Sequence, residues 1–169
     1  MLLNEQETRA LEDRVSLELR FRPDAKYRGH SLLWWKRPFR LPKPWAVYAL
    51  DETSQEQIEE TAAAVKGCLL AAAEPGKRLY AMDWYHCAFL YNPRNENEQK
   101  NAKEADGGGS YRAAFPFYYP DGDYYFFLDE DFRFGYLGHP WRKEVWVFGA
   151  ALLPEIERIA PSLGWKKIR

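Results

Sequence analysis

Residues 123–148 read DYYFFLDEDFRFGYLGHPWRKEVWVF, and the fold follows from how this stretch alternates. Side chains on a strand point to opposite faces in turn, which sets Tyr124, Phe126 and Leu128 on one face and Tyr125 and Phe127 on the other. The pattern predicts strands at Asp123–Leu128, Gly135–Gly138 and Glu144–Phe148. Turns at Asp129–Asp131 and His139–Lys143 join them as an antiparallel meander. A sheet with one solvated face carries polar residues at alternate positions, whereas here both faces are aromatic. One face therefore needs helices over it, and the other needs the proline-rich segment, the C-terminal tail or a partner.

Working outward, Tyr80–Pro93 is a second aromatic block, and Arg78–Tyr91 reads as one strand, long and kinked. Trp45–Leu50 alternates well enough to be another strand. Three segments have helical periodicity. Asn4–Leu19 repeats Leu11, Val15 and Leu19 at four-residue spacing, with acids in its first turn. After a capping-box start at Thr53/Glu56 or Ser54/Gln57, the stripe Ile58, Ala62, Val65, Leu69 and Ala72 runs toward Glu74-Pro75-Gly76. Gly149–Ala160 is the third, with Pro154 tolerated only in its first turn. Residues 92–110 are polar, end in Gly107-Gly108-Gly109, and read as a mobile insertion in a single domain spanning 1–169. The expected fold class is α+β: an antiparallel sheet of four to six strands with two or three helices packed on one face.

Composition narrows the function classes. A net charge of −1 argues against a dedicated nucleic-acid binder, and no apolar run is long enough to span a bilayer. Cys68 and Cys87 have no CxxC partner, so neither zinc nor redox chemistry is indicated and a reducing cytoplasm is expected. Aromatic residues make up 17% of the chain; they are either mostly core or a surplus beyond what a sheet-and-helix body of this size hides, left for an interface. Charge is segregated. Arg20–Lys43 holds eight bases against Asp24, while Asp51–Glu60 and Asp121–Asp131 each hold five acids. These clusters are either solvated surfaces that offset one another or fields that select a partner. The cationic, aromatic segment around Trp34-Trp35 offers a platform for stacking nucleotides, against which its prolines and the neutral total charge weigh.

The side chains able to do chemistry lie in the aromatic blocks: Asp83, His86, Cys87, Asp121, Asp123 and His139. Asp83 and His86 stand three apart, on opposite faces of a flat strand unless a bulge intervenes. Pro120-Asp121-Gly122-Asp123 is also good turn chemistry, and His139 in Gly-His-Pro-Trp is equally a residue that bonds to backbone. Brought together, Asp83, His86, Asp121, Asp123 and His139 could hold a divalent metal or act as acid and base. HExxH, GxSxG and a phosphate-gripping glycine loop are missing, so no catalytic residue, resident metal or cofactor is expected.

At Tyr80-Ala81-Met82-Asp83-Trp84 with His86 and Pro93, then Pro120-Asp121-Gly122-Asp123-Tyr124-Tyr125-Phe126-Phe127, Asp131-Phe132, Gly135, Gly138-His139-Pro140-Trp141 and Phe148-Gly149, the chain resembles a bacterial family catalogued as domain of unknown function 2716. Pro42-Lys43-Pro44 also fits, and residues 92–110 correspond to a variable insert. Tyr85 departs from the pattern, standing where an amide side chain is expected. The resemblance supplies no catalytic residues. It implies a small protein similar in size and style to immunity proteins encoded beside secreted bacterial toxins. The expected function is thus a non-enzymatic cytoplasmic protein that occludes the active site of a cognate toxin, without nucleic-acid or membrane partners. Its contact residues are expected to be Asp121, Asp123, Tyr124, Asp129, Asp131 and Trp141. The alternative is a small metal-dependent enzyme or ligand-binding domain using Asp83, His86 and His139.

Overall fold

The computed structural model describes residues 1–21, 39–50, 55–95, 115–120 and 122–169. The expected α+β class holds, with an antiparallel sheet of seven strands rather than four to six. The strands are β1 (Trp45–Ala49), β2 (Leu79–Asp83), β3 (Cys87–Tyr91), β4 (Tyr125–Asp129), β5 (Gly135–His139), β6 (Glu144–Phe148) and β7 (Lys166–Lys167). Their spatial order is β3-β2-β4-β5-β6-β1-β7. The meander of residues 123–148 forms the centre as β4-β5-β6, with Phe126 opposite Leu137 and Leu137 opposite Trp146.

The alternation read along β4 divides the core. Phe127, Tyr136, Phe89, Val145 and Val147 pack on one face beneath α2 (Gln55–Ala72) and α3 (Leu153–Ile159). Phe126, Leu128, Leu137, Trp146 and Phe148 pack on the other, beneath α1 (Glu5–Glu18) together with Phe21, Phe39 and Leu41. Helices therefore cover both faces: α2 and α3 lie on the expected common face, while α1 serves the opposite one. The part of the proline-rich segment that is described, Phe39 and Leu41, helps cover that second face, as the doubly aromatic strands require. Each fully buried aromatic or aliphatic side chain contributes about 1.5–3 kcal/mol, and Phe21 sets its ring against Trp84, Tyr124 and Phe126 at 4.8–5.1 Å between centroids.

Local chemistry fixes the helix starts and stops. The Asn4 side chain accepts the Glu7 N–H at 2.9 Å, and the Glu7 carboxylate accepts the Asn4 N–H at 2.8 Å, a reciprocal cap on α1. Leu11, Val15 and Leu19 are its buried stripe. Pro154 occupies the first turn of α3, where it forfeits no hydrogen bond. The capping-box candidates Thr53 and Ser54 lie outside the described residues, as do Trp34-Trp35 and most of the polar insertion. Both sheet edges are occupied. Leu2 bridges Phe89 on β3, and exposed Lys166 and Lys167 form the outermost strand on the other side, lysines being well suited to an edge.

One expectation needs correction. Residues 78–91 form a hairpin, not one kinked strand: Asp83 pairs with Cys87 across the three-residue turn Trp84-Tyr85-His86. Tyr85 adopts φ +69°, the left-handed conformation that closes such a turn. Asparagine tolerates this region far better than tyrosine, which explains in physical terms why an amide was expected there.

Candidate functional site

The turn at 84–86 puts Asp83 and His86 side by side, contrary to the separation a flat strand would impose. The His86 Nδ1 lies 3.0 Å from Asp83 Oδ1 and 4.0 Å from Asp123 Oδ2. Asp123 reaches the cluster because β4 pairs with β2, setting Tyr125 opposite Asp83. The backbone N–H of Trp84 also donates to the Tyr124 carbonyl at 3.1 Å, tying the segment before β4 to the turn. Donor atoms of Asp83, His86 and Asp123 all lie within 4.8 Å of one another. Two carboxylates and an imidazole at this spacing can share a proton or hold a cation.

Glu12 on α1 braces the turn from behind by accepting the Tyr85 N–H at 3.1 Å. Burial pushes its carboxyl above the usual range, although the Tyr85 hydrogen bond opposes this. Trp84 is buried against Phe21 and Phe126. Tyr85 beside it is 58% exposed. The turn thus anchors one ring and presents the next.

The β5–β6 turn lies at the same end of the sheet. Pro140–Arg142 form a single 3-10 turn closed by Lys143 at φ +48°. Behind it, the buried Glu144 carboxylate accepts two hydrogen bonds from Arg142 at 2.9 Å and one from Trp146 Nε1 at 3.1 Å. Arg169 approaches the same carboxylate at 3.5 Å. Trp141, on this braced turn, is 70% exposed. Three strand spacings, roughly 14 Å, separate the two hairpin tips. Between them lie Tyr124 and buried His139, ring centroids 4.9 Å apart and edge to face. Burial, reinforced by the charge of Arg142, lowers the His139 imidazole to about 4, so it is neutral near pH 7.

The acidic residues proposed as one contact cluster separate. Asp123 stands at the Asp83 end of β4, while Asp129 and Asp131 stand at the other end, about 17 Å away along five strand residues. Asp129 is buried and holds the β4–β5 turn together, which corrects its assignment as a contact residue. Its Oδ2 accepts Arg133 Nε at 2.8 Å and the Asp131 N–H at 3.1 Å, and its Oδ1 accepts Arg133 Nη2 at 2.9 Å. Burial raises this carboxyl, but the Arg133 and backbone hydrogen bonds outweigh it and hold it below its ordinary value. Asp131 is exposed. Asp121 lies outside the described residues.

The expected aromatic surplus is also smaller at the surface than composition suggested. Among the described residues the exposed large rings are Tyr85, Trp141 and, at the opposite end of β1, Trp45 stacked on Trp146. Tyr124, Asp123 and Trp141 from the expected contact set therefore meet Asp83, His86 and His139 from the alternative set at a single sheet end. Sequence reasoning missed Tyr85, Glu12 and the Arg142–Glu144–Trp146 brace. The left-handed tyrosine in a hairpin turn carried no glycine, asparagine or proline to announce it.

Fold and site together define a small α+β protein with an aromatic and ionisable surface on the turns at one end of a rigid sheet. The chain belongs to the family described as "Protein of unknown function (DUF2716)", which matches residues 2–153. It is similar to the "Uncharacterized protein YxiI" of Bacillus subtilis (strain 168), at 36% identity over 85 residues, covering 50% of this chain and 47% of that one. The match therefore spans about half the length of this curated relative. No solved structure matches. Among the described residues no helix is long and apolar enough to cross a membrane.

Proposed function

We propose that this protein is a non-enzymatic binding protein whose working surface is the sheet end bearing Tyr85 and Trp141. Most concretely, it acts in the cytoplasm as an immunity protein that blocks a cognate toxin. The observation that carries the reading is Tyr85: its backbone is strained at φ +69° and the residue is 58% exposed, with one side of its ring against Trp84 at 5.3 Å. For a non-glycine residue that conformation costs about 1–2 kcal/mol, and an exposed ring returns little of it through burial. Strain of this kind concentrates where a side chain must be presented.

Trp141 complements it on a turn braced by the Arg142–Glu144 pair, so the backbone presenting each ring is set before a partner arrives. Immobile aromatic anchors lower the entropy lost on association and dominate binding energy in interfaces. Asp83 and Asp123 lie between them and supply negative charge matched to a basic cleft, the kind found in enzymes acting on nucleic acids or nucleotides. Inhibition is then steric and electrostatic blockade.

Co-expression with the product of the neighbouring gene tests this. Protection of the cells together with an isolable complex is the expected result. Unprotected cells and no complex with purified components would overturn the reading.

A further inference from the structure

Asp83, His86 and Asp123 bring one donor atom each to a single patch, and the His86–Asp83 hydrogen bond at 3.0 Å already holds two of them together. Zinc holds imidazole nitrogen and carboxylate oxygen tetrahedrally at about 2.0–2.2 Å, so its ligand atoms lie about 3.4 Å apart. The His86 Nδ1 to Asp83 Oδ1 distance is 3.0 Å and the His86 Nδ1 to Asp123 Oδ2 distance is 4.0 Å. All three donor atoms fall within 4.8 Å, so binding an ion draws these partly exposed side chains inward by about 1 Å. Each comes from a different support: Asp83 from the end of β2, His86 from the hairpin turn, and Asp123 from the segment leading into β4. The backbone fixes their relation. The His86 N–H donates to the Asp83 carbonyl at 3.0 Å, and the Trp84 N–H donates to Tyr124 at 3.1 Å.

The geometry points to a site for one divalent first-row transition metal ion, held by Asp83, His86 and Asp123 with its remaining positions open to solvent. Imidazole in the set favours zinc or nickel over calcium and magnesium, which take all-oxygen sites, with manganese between them. His86 is exposed and Asp83 and Asp123 are half-buried, so the ion can exchange and can accept a further ligand from outside. This site goes beyond the toxin-blocking reading and stands without it, because it is tested on the chain alone.

Purified protein is titrated calorimetrically with zinc, nickel and manganese chlorides, each separately, with magnesium chloride for comparison. The expected result is saturable one-to-one binding of at least one transition metal, with magnesium much weaker. His86→Ala and Asp123→Asn should each weaken it by more than about tenfold, since losing even the groups behind metal ligands costs that much. Asp131→Asn, an exposed carboxylate at the far end of β4, should leave it unchanged. A measurement on the unaltered chain guards against misfolded variants: added zinc, which is diamagnetic and acts locally, should shift the His86 ring resonances and leave those of buried His139 in place. No saturable binding at millimolar metal, undiminished binding in both variants, or ring shifts at His139 without shifts at His86 would each overturn the proposal.

Discussion

Replacing Asp129 tests most sharply whether the acidic stretch 129–131 is a structural brace. The carboxylate is almost fully buried and accepts two hydrogen bonds from the Arg133 guanidinium and one from the Asp131 N–H, with a longer one from the Arg133 N–H at 3.3 Å. Asp129→Ala leaves these donors unsatisfied at the mouth of the β4–β5 turn. Breaking a buried pair from one side costs about 3–5 kcal/mol, but Arg133 is 45% exposed and water takes over part of its solvation. The expected loss is therefore about 3 kcal/mol, or roughly 6–12 °C in Tm for a chain of this size. Asp129→Asn keeps one oxygen acceptor and should lose about half as much. The effect must also depend on pH. A carboxyl held below its unfolded value stabilises the fold above that unfolded value, and this stabilisation disappears as pH falls through the lowered folded one. The gap between wild type and Asp129→Ala, measured by urea unfolding, should be constant from pH 7 to about 5 and shrink below about 4. A loss under about 1 kcal/mol at pH 7, or a gap unaltered in acid, would refute the brace.

Four further outcomes are expected. Gly149→Ala should cost about 3 kcal/mol or more, because φ is +96° and the new Cβ would sit 2.4 Å from the Arg133 carbonyl and Phe134 Cβ; chemical denaturation measures it. His139, lowered to about 4, stays neutral in the folded chain while the unfolded chain binds a proton from about pH 6.5 downward. Its stabilisation of roughly 3 kcal/mol is present above pH 6.5 and is lost progressively toward pH 4; an NMR titration of the His139 ring showing a midpoint near 6.5 would contradict this. Tyr85→Asn should leave Tm unchanged or raise it, the left-handed backbone being easier for asparagine; a drop of several degrees in a thermal melt would show that the Tyr85 ring stabilises the fold. Trp141→Ala should move stability by no more than about 0.5 kcal/mol yet weaken partner binding about 30-fold or more, the usual loss at an aromatic anchor; surface plasmon resonance against the partner checks the second part.

The central meander was legible because large rings alternating over β4, β5 and β6 admit only a sheet buried on both faces. The helix of residues 55–72 was legible for the same reason, its stripe of Val65 and Leu69 having one packing solution. The hairpin at 84–86 was not, since Trp-Tyr-His has strand propensity and only tertiary support, from Glu12 and the Tyr124 carbonyl, turns the chain there. Asp129 misled because a carboxylate followed by Glu130 and Asp131 reads as surface, whereas its partner Arg133 four residues on turns it inward. The site was half visible. Its ionisable residues were named as a group that the sheet could gather, but Tyr124 and Trp141 stood in a rival set, because pairing of β2 with β4 is a long-range fact that spacing along the chain does not encode.

The sheet end bearing Tyr85 and Trp141 is the surface proposed to meet another protein. The most direct measurement is the protection given to cells expressing the neighbouring gene's product by the double variant Tyr85→Asn, Trp141→Ala, with its melting curve recorded in parallel. Protection lost at an unchanged Tm is the predicted result. Protection retained in full by that variant would contradict the account.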